Sequence, residues 1–157
     1  MPTHRLSDRC ASRVIVVGHT IGSARYVSLT TFRRNGDPVS VPVWIAPALP
    51  GPPFRDGELV FVSLEDTYKV KRLRRDPRVE LRECDARGRV APGAVPVTGT
   101  GRVLSDPDDV RAVKRAIGEK YGSWYHVFAA AESVVMRVWP RYKKRAGIAI
   151  SLDPGVA

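Results

Sequence analysis

Short segments in which apolar and polar residues alternate recur along this chain, with turn-forming residues between them, and they favour β-strands. Residues 26–32 (YVSLTTF) form the first such segment, and residues 38–46 (PVSVPVWIA) form the second. Between them, Asn35 and Gly36 readily supply the positive φ angles of a tight turn, so the two segments are predicted to form a β-hairpin. Pro42 removes one backbone donor from the second strand, which indicates an edge strand or a bulge.

Further alternating segments predict more strands, and two stretches of helical period lie between them. The additional strands are expected at residues 58–63, 78–84, 97–105, 133–140 and 146–151. A short helix is expected within residues 66–76, because Pro77 stops it. A longer helix is expected over residues 106–122, with Asp106 as its N-cap. Because hairpins dominate, the sequence predicts a mainly β fold, a largely antiparallel barrel of six or seven strands with peripheral helices.

The chain has 157 residues, which favours one domain, expected over residues 14–157 behind a loose N-terminal tail at residues 1–13. Cys10 and Cys84 are the only cysteines and the histidines are scattered, so neither a disulfide framework nor a metal site is predicted. The apolar run at residues 14–17 is far too short for a signal or membrane segment. A soluble, cytoplasmic protein is expected.

Charge restricts the ligands that such a chain can bind. The 26 lysines and arginines exceed the 16 aspartates and glutamates, which gives a formal net charge of +10. A surface of this sign attracts anions, whether nucleic acid, anionic lipid or a phosphorylated small molecule. The overall charge does not choose among these ligands, so the placement of the basic residues has to decide.

Basic residues are densest at residues 67–77 (TYKVKRLRRDP), where a predicted helix follows a predicted strand. Thr67 or Asp66 can serve as the N-cap of this helix. The first-turn N–H groups of about Tyr68 and Lys69 then lack intrahelical partners and lie at the positive end of the helix dipole. Other donors close enough to join them are Ser63, Lys71 and Arg72. Convergent donors of this kind favour a phosphate group over a long duplex.

Two other interpretations of these basic residues stay open. A solvated basic helix would pack Val70 and Leu73 inward and bind no ligand. A nucleic-acid surface would use residues 137–145 (RVWPRYKKR), where Trp139 and Tyr142 could stack on bases, although such aromatics more often belong to a core or an interface. The sequence contains no nucleotide-binding, hydrolase or metalloprotease motif and no catalytic residue is assigned, so an enzyme of this sequence needs a cofactor.

Three features of the sequence occur together in one known group of proteins. They are the opening hairpin at residues 29–44 (LTTFRRNGDPVSVPVW), the placement of Lys69 eight residues before Pro77, and CDARGR at residues 84–89. In this order and spacing they resemble the flavin and deazaflavin oxidoreductases of the pyridoxamine 5′-phosphate oxidase-like split-barrel superfamily, and within it the branch that uses coenzyme F-420. The likeness spans about residues 24–150. It implies a homodimeric split β-barrel with two cofactor sites at the subunit interface.

At the phosphate end of the cofactor, the resemblance implies that Lys69 holds the phosphate, with help from Lys71 and Arg72. Ser63, at the end of the third strand, is expected to bond the phosphate or the ribityl chain, beside Thr67 at the helix start. F-420 also carries an oligoglutamate tail beyond its phosphodiester, so additional basic residues are expected to meet this longer polyanion. The candidates for the tail are Arg74, Arg75, Arg87 and Arg89.

At the ring end, the resemblance implies that Pro42, Val43 and Trp44 line the deazaflavin, together with Thr30 or Thr31 of the first strand. Trp44 could equally be an ordinary core aromatic. The second strand reads VSVPVWIA and lacks the R-x-x-L-L-K motif of the flavin-using phosphate oxidases. This departure disfavours FMN and pyridoxamine phosphate as ligands.

The resemblance therefore predicts an F-420-dependent oxidoreductase that transfers a hydride between the deazaflavin and a conjugated small organic substrate. Two alternatives stay open. One is an FMN-dependent oxidase or reductase on the same fold, and the other is a non-enzymatic barrel that binds a cofactor or nucleic acid. Neither the proton donor nor the physiological substrate follows from the sequence, and membrane or nucleic-acid partners are not expected.

Overall fold

Seven antiparallel strands form one sheet in the computed structural model, which describes residues 21–127 and 144–154. The strands are β1 Tyr26–Phe32, β2 Pro38–Val43, β3 Ala46–Pro47, β4 Leu59–Leu64, β5 Arg78–Cys84, β6 Val97–Leu104 and β7 Arg145–Leu152. Helix α1, Tyr68–Arg75, joins β4 to β5, and helix α2, Pro107–Tyr121, follows β6. The order across the sheet is β2-β1-β5-β6-β7-β4-β3. The predicted mainly β, antiparallel fold of six or seven strands is confirmed.

The two edge strands of this sheet, β2 and β3, are consecutive along the chain, and only Trp44 and Ile45 lie between them. The chain therefore passes from one edge of the sheet to the other, which requires the sheet to curl round on itself. The core shows the same curl. Leu29 of β1 and Phe61 of β4 belong to one buried cluster, although three strands separate β1 from β4 in the sheet. The architecture is a curled half-barrel with its main core inside.

The sequence pattern predicts one strand over residues 38–46, and in this respect it is wrong. The structure divides the segment, because β2 pairs with β1 whereas the short β3 pairs with β4. Val43 and Ile45 both face the core, so the alternation continues through the bend and does not reveal the change of partner. The expectation that Pro42 marks an edge is confirmed, since β1 is the only neighbour of β2 among the strands that the structure describes.

The hairpin between β1 and β2 is confirmed, but its turn is longer than a two-residue turn. The N–H of Arg33 donates to the carbonyl oxygen of Asp37 at 2.9 Å, so residues 33–37 form the loop. Gly36 has a positive φ of 88°, whereas Asn35 does not adopt a positive φ. Instead, the Asn35 side chain donates to the Asp37 carboxylate at 2.7 Å, a local side-chain bond typical of turn residues.

Helix α1 closes one end of the barrel. It lies within the predicted range 66–76, and its apolar residues Val70 and Leu73 are buried in the interior cluster. At the C-terminal end of the helix, Arg75 Nη2 donates to the carbonyl oxygen of Phe32 at 2.6 Å. Helix α1 therefore lies at the end of the barrel where β1 and β4 finish and β5 begins.

Helix α2 packs on the outside of the sheet. The predicted N-cap is confirmed, because the Asp106 carboxylate accepts from the N–H of Asp108 at 2.8 Å. Gly122, with φ of 55°, ends the helix as predicted. Val113 of α2 lies with Val60 of β4 in a second buried cluster on the outer face of the sheet.

Several predictions concern residues outside the described ranges. These are the loose tail at residues 1–13, the strand at residues 133–140, and the aromatic residues Trp139 and Tyr142. The last predicted strand, at residues 146–151, is confirmed as β7. Across the described ranges, none of the helices has the length and apolar character needed to cross a membrane.

Candidate functional site

The N-terminus of helix α1, which is the predicted phosphate site, has no capping side chain. Thr67 is the N-cap residue (φ −76°, ψ 151°), but its hydroxyl donates to the carbonyl oxygen of Leu64 at 2.9 Å and caps no amide. The first turn of α1 also contains no acidic residue. Helix α2 differs, because Asp106 caps it and Asp108 and Asp109 lie in its first turn. The positive end of the α1 dipole therefore lacks the compensation that α2 has.

Lys69 lies in this first turn and is half-buried. Among the residues that the structure describes, it has no ion-pair or hydrogen-bond partner. Burial lowers the pKa of the Lys69 ammonium group, because the charged form loses solvent. A bound anion would supply the counter-charge that the protein itself does not provide at this position.

Ser63 and Thr67 connect the end of β4 to the start of α1. The Ser63 side chain is 5% exposed, and its Oγ lies 3.2 Å from Thr67 Oγ1. Because Thr67 uses its only hydroxyl proton on Leu64, Ser63 is the donor in this contact. The Ser63 proton could turn to a ligand oxygen with the loss of one long hydrogen bond.

Lys71 and Arg72, the other two predicted phosphate ligands, surround an exposed aromatic ring. The Lys71 ammonium forms an ion pair with Asp66 at 2.6 Å. Lys71 and Arg72 lie 5.7 Å and 5.9 Å from the centre of the Tyr68 ring, which is 76% exposed. Lys71 thus differs from Lys69, because an anionic ligand that binds Lys71 would have to compete with the Asp66 carboxylate.

At the predicted ring site, strand alternation separates Thr30 from Thr31. Thr31 faces the interior, fully buried, and its Oγ1 has no hydrogen-bond partner among the described residues. Val43 also faces the core. Thr30 lies on the opposite, outer face together with Pro42, and its Oγ1 is 2.8 Å from Ser40 Oγ. Of the two threonines, Thr30 is the one that shares a face with Pro42.

Trp44 belongs to an aromatic cluster at the bend between β2 and β3. Its ring stacks on Tyr121 of α2, with centroids 5.1 Å apart and an angle of 22° between planes, and Tyr26 approaches edge-on at 6.5 Å. The Tyr121 hydroxyl donates to the carbonyl oxygen of Arg25 at 2.8 Å. Tyr121 therefore holds one face of Trp44 and fixes the chain on the N-terminal side of β1.

Lys120 reinforces the same bend. Its Nζ donates to the carbonyl oxygens of Ala24 and Ile45, both at 2.5 Å, and lies 4.9 Å from the centre of the Tyr121 ring. Burial lowers the pKa of Lys120 to about 8. Sequence reasoning missed Lys120 and Tyr121, because they lie 75 and 76 residues from Ile45 along the chain and no local pattern connects them.

The two predicted groups lie toward opposite ends of the barrel. Helix α1 and Ser63 are at the end where β1 finishes at Phe32. Pro42 pairs with Ser28, four residues earlier on β1, which is about 13 Å along the strand. A single ligand that reaches both groups must therefore be elongated. Thr30 and Ser40 lie between them on the outer face.

Three of the four arginines expected at the glutamate tail already have partners. Arg74 donates to Glu65 at 2.6 Å and to Ser105 at 2.9 Å. The bonds that Glu65 accepts from Arg74 and from the Ser105 hydroxyl hold the pKa of Glu65 below its ordinary value. Arg75 bonds the Phe32 carbonyl, and Arg89 pairs with Asp85 at 2.7 Å. Arg87 is exposed, and its side chain has no partner in the described part of the chain.

A separate open cleft of about 490 Å³ lies on the α2 side of the molecule. Its walls are Gly22, Ser23, Pro47, Ala48, Leu49, Ala116, Glu119 and Lys120. None of the ten predicted cofactor-binding residues lines this cleft. The residues predicted to bind the cofactor therefore lie outside this cleft.

A family model described as pyridoxamine 5′-phosphate oxidase matches residues 19–150. The chain belongs to the pyridoxamine 5′-phosphate oxidase family. This confirms the superfamily that the hairpin, the Lys69 spacing and the CDARGR segment resemble. Members of the family include oxidoreductases and proteins that bind flavin-type cofactors.

Solved structures with related folds come from proteins with different names. The conserved hypothetical protein Rv2991 from Mycobacterium tuberculosis has 22% identity and a TM-score of 0.58, with 87% of this chain and 78% of that chain covered. A structure named F420 reductase has 17% identity and a TM-score of 0.52, with 86% and 92% covered. The haem storage protein HutZ from Vibrio cholerae has 10% identity and a TM-score of 0.57, with 89% of each chain covered.

Identities at this level establish a common fold and do not transfer a ligand. No curated protein matches the chain at the level of sequence. Within the pyridoxamine 5′-phosphate oxidase family, the cofactor of this protein must therefore be inferred from its own residues.

Proposed function

We propose that this protein is an oxidoreductase that uses coenzyme F-420 and acts as a homodimer in the cytoplasm, on a conjugated small organic substrate. Membership of the pyridoxamine 5′-phosphate oxidase family supports a cofactor-dependent redox function. The observation that carries the proposal is Lys69, a half-buried ammonium group without a counter-ion in the described residues, at a helix N-terminus without a capping side chain.

The residues at this helix fit a phosphate group. Burying an ammonium group without an anion is unfavourable, and a phosphate oxygen beside Lys69 would offset that loss of hydration. The amides of the first turn supply further donors with the right polarity. The Ser63 hydroxyl, which bonds Thr67 at the start of the helix, would be a further donor to the same phosphate.

F-420 suits the chain better than FMN for two reasons. The net charge of +10 favours the longer polyanion, because F-420 carries glutamate carboxylates in addition to its phosphodiester. The second strand also lacks the basic motif that the resemblance associates with flavin-using members. One structural neighbour is named F420 reductase, which is consistent with this choice but shares only the fold with this chain.

When bound, F-420 supplies a centre for hydride transfer. The protein's own contribution is binding and orientation. Lys69, Ser63 and the α1 amides would fix the phosphate end, while Pro42, Trp44 and Thr30 would form the wall at the ring end. Trp44 is suited to this task because Tyr121 and Tyr26 hold its ring from two sides and limit its rotation.

Homodimer formation is part of the proposal, because the edge strand β2 leaves the predicted ring site open on one side. Pro42 and Ser40 are exposed on this face of the edge strand. A second subunit placed there would cover the ring and exclude water from the reaction. Sedimentation equilibrium should give twice the mass of one chain, and a monomer at micromolar concentration would contradict this part of the proposal.

The test compares two half-buried lysines whose pKa values burial lowers, Lys69 and Lys114. F-420 is titrated into wild type, Lys69→Ala and Lys114→Ala by absorbance, and FMN is titrated in parallel. Each variant removes one positive charge, so nonspecific electrostatic effects are matched. Lys69→Ala should weaken F-420 binding by about tenfold to a hundredfold, the loss expected for a charged hydrogen bond, and Lys114→Ala by no more than about twofold.

Other results would point elsewhere. Tight binding of FMN alone would favour the flavin-dependent alternative on the same fold. Affinity for nucleic acid with a steep dependence on salt, together with no binding of either coenzyme, would favour the nucleic-acid-binding alternative. Equal losses in the two lysine variants would show that Lys69 contributes only to the general positive field.

A further inference from the structure

The loop after β5 is held in one conformation by a single carboxylate. The Asp85 carboxylate accepts from the backbone N–H of Arg87 at 2.8 Å, from the N–H of Arg89 at 2.9 Å and from Arg89 Nε at 2.7 Å. The backbone of Asp85 also bonds Arg89 and Gly88, and a bridge between Cys84 and Val90 closes the base. These bonds hold the pKa of Asp85 below its ordinary value. The loop therefore presents its side chains from a fixed backbone.

This loop lies over the outer face of β1. Gly88 has a φ of 79°, and a Cβ built on it would lie 3.2 Å from Pro42 Cδ. Pro42 belongs to β2, whereas the loop leaves β5, and β1 runs between these two strands. The loop must therefore cross β1 near Ser28, which pairs with both Pro42 and Arg82. The crossing accounts for Ser28, an outward-facing serine that is only 4% exposed.

Arg87 is the side chain of this loop that remains available to bind a ligand. It precedes Gly88, whose backbone approaches Pro42, and its guanidinium has no partner among the described residues. By contrast, Arg89 is committed to Asp85, and Arg82 lies 3.8 Å from Glu80. A fixed loop thus places the backbone of Arg87, whose guanidinium is uncommitted, one residue from the point where the loop approaches the strand that the proposed function assigns to the ring.

The position of Arg87 argues against the glutamate tail as its ligand. In F-420 the tail is attached beyond the phosphodiester, on the side away from the ring. Lys69 is at the α1 end of the barrel and Arg87 is at the opposite end, where β5 finishes. A tail that starts from a phosphate at Lys69 would have to turn back past the ring to reach Arg87.

We propose that Arg87 is a specificity-determining residue that recognises an anionic group, such as a carboxylate, on the substrate. This inference rests on the proposed function, because it takes Pro42 as part of the ring site. A guanidinium binds a carboxylate through two parallel N–H bonds, which a lysine does not reproduce. The substrate class is therefore a conjugated carboxylate, and the corresponding neutral ester is disfavoured.

The experiment uses matched pairs of ligands, cinnamate with methyl cinnamate and sorbate with methyl sorbate, and protein that has been loaded with F-420. Calorimetry gives the dissociation constants for wild type, Arg87→Ala, Arg87→Lys and the control Arg115→Ala, which removes an exposed arginine from α2. Wild type should bind at least one acid more tightly than its ester. Arg87→Ala should weaken acid binding by about tenfold or more and leave the ester within about twofold. Arg87→Lys should retain part of the preference, and Arg115→Ala all of it.

The inference is wrong if wild type binds no acid more tightly than its ester, or if Arg87→Ala and Arg115→Ala behave alike. It is also wrong if Arg87→Ala weakens binding of F-420 itself, because Arg87 would then meet the coenzyme. Titration of F-420 into the same samples separates these outcomes from failure of the proposed function, which would appear as no coenzyme binding by wild type.

Discussion

We expect Tyr121 to be the residue of helix α2 that supports the ring site. Two substitutions distinguish the contribution of its hydroxyl from that of its aromatic ring. Tyr121→Phe removes the bond to the Arg25 carbonyl and keeps the stack on Trp44. Tyr121→Leu removes both. Because Trp44 follows directly after the end of β2, loss of the stack should loosen the wall that the proposed function assigns to the ring.

The magnitudes follow from the contacts. The hydroxyl donates its one proton to the Arg25 carbonyl at 2.8 Å, with the Ile45 carbonyl as a second, more distant acceptor at 3.1 Å, and it accepts from the N–H of Ile45 at 3.3 Å. Tyr121→Phe should therefore lower the free energy of unfolding by about 1 kcal/mol. Tyr121→Leu loses in addition the aromatic pair, about 0.5–1.5 kcal/mol, and part of the packing, so a total loss of about 2–3 kcal/mol is expected.

The assay pairs urea unfolding with titration of F-420. Tyr121→Phe should be less stable yet bind the coenzyme within about twofold of wild type, whereas Tyr121→Leu should bind it at least about fivefold more weakly. Tyr68→Phe is the control for stability, because Tyr68 is 76% exposed, and it should change the unfolding free energy little. The reasoning is refuted if Tyr121→Leu binds F-420 as well as wild type does, since Trp44 would then need no support from α2.

Three further predictions concern buried groups. Glu58→Gln should lower the unfolding free energy by about 1–3 kcal/mol in urea titrations, because Glu58 is 2% exposed and pairs with Arg102 at 2.9 Å; an unchanged midpoint would contradict this. Thr31→Val should leave the unfolding free energy unchanged or raise it by up to about 1 kcal/mol, because the Thr31 hydroxyl is buried without a partner among the described residues. The affinity for F-420 should also be unchanged. A clear loss of stability or of affinity would show that the hydroxyl is used. The pKa of Lys120 is lowered to about 8 in the folded protein and is about 10.4 when unfolded, so between these values the unfolded chain holds the extra proton. The unfolding free energy of wild type relative to Lys120→Met should therefore rise as pH increases from about 8 to about 10. Unfolding of both proteins is measured at the two ends of this range. A difference in unfolding free energy that stays constant or falls would contradict the lowered pKa of Lys120.

Local patterns in the sequence were sufficient to predict most of the fold. Asp106 and Gly122 mark the ends of α2, and Val70 and Leu73 give the inward face of α1, because capping and helical period depend on residues only a few positions apart. Pro42 indicated an edge strand for the same reason, since its missing N–H acts at its own position.

The bend at Trp44 shows where local patterns fail. The alternation of buried residues passes through it unchanged, while the strand partner changes from β1 to β4, which is a property of the whole sheet. The choice between Thr30 and Thr31 likewise needed the register, which places Thr30 on the face of Pro42. The alternation of apolar and polar residues alone could not determine which of the two threonines shares a face with Pro42.

Contacts between residues that are distant in sequence determine which basic side chains remain available to bind a ligand. Arg74 and Arg87 look equivalent in the sequence, yet Arg74 reaches Ser105, 31 residues away, as well as Glu65. Lys71 is paired with Asp66, whereas Lys69, two positions earlier, has no partner in the described residues. The high positive charge could be counted from the sequence, but its division into paired and unpaired groups required the structure.

The central claim is that Lys69 binds the coenzyme phosphate, and the pKa of its side chain tests this most directly. The ammonium group can be followed by NMR of protein carrying ¹³C at the lysine ε positions, with the Lys69 signal assigned from Lys69→Arg, in the absence and presence of F-420. Burial lowers this pKa in the free protein, and a phosphate beside the ammonium favours its charged form. The account predicts that F-420 raises the pKa of Lys69 and leaves that of Lys114 unchanged; a Lys69 pKa that stays the same when the coenzyme is bound would contradict it.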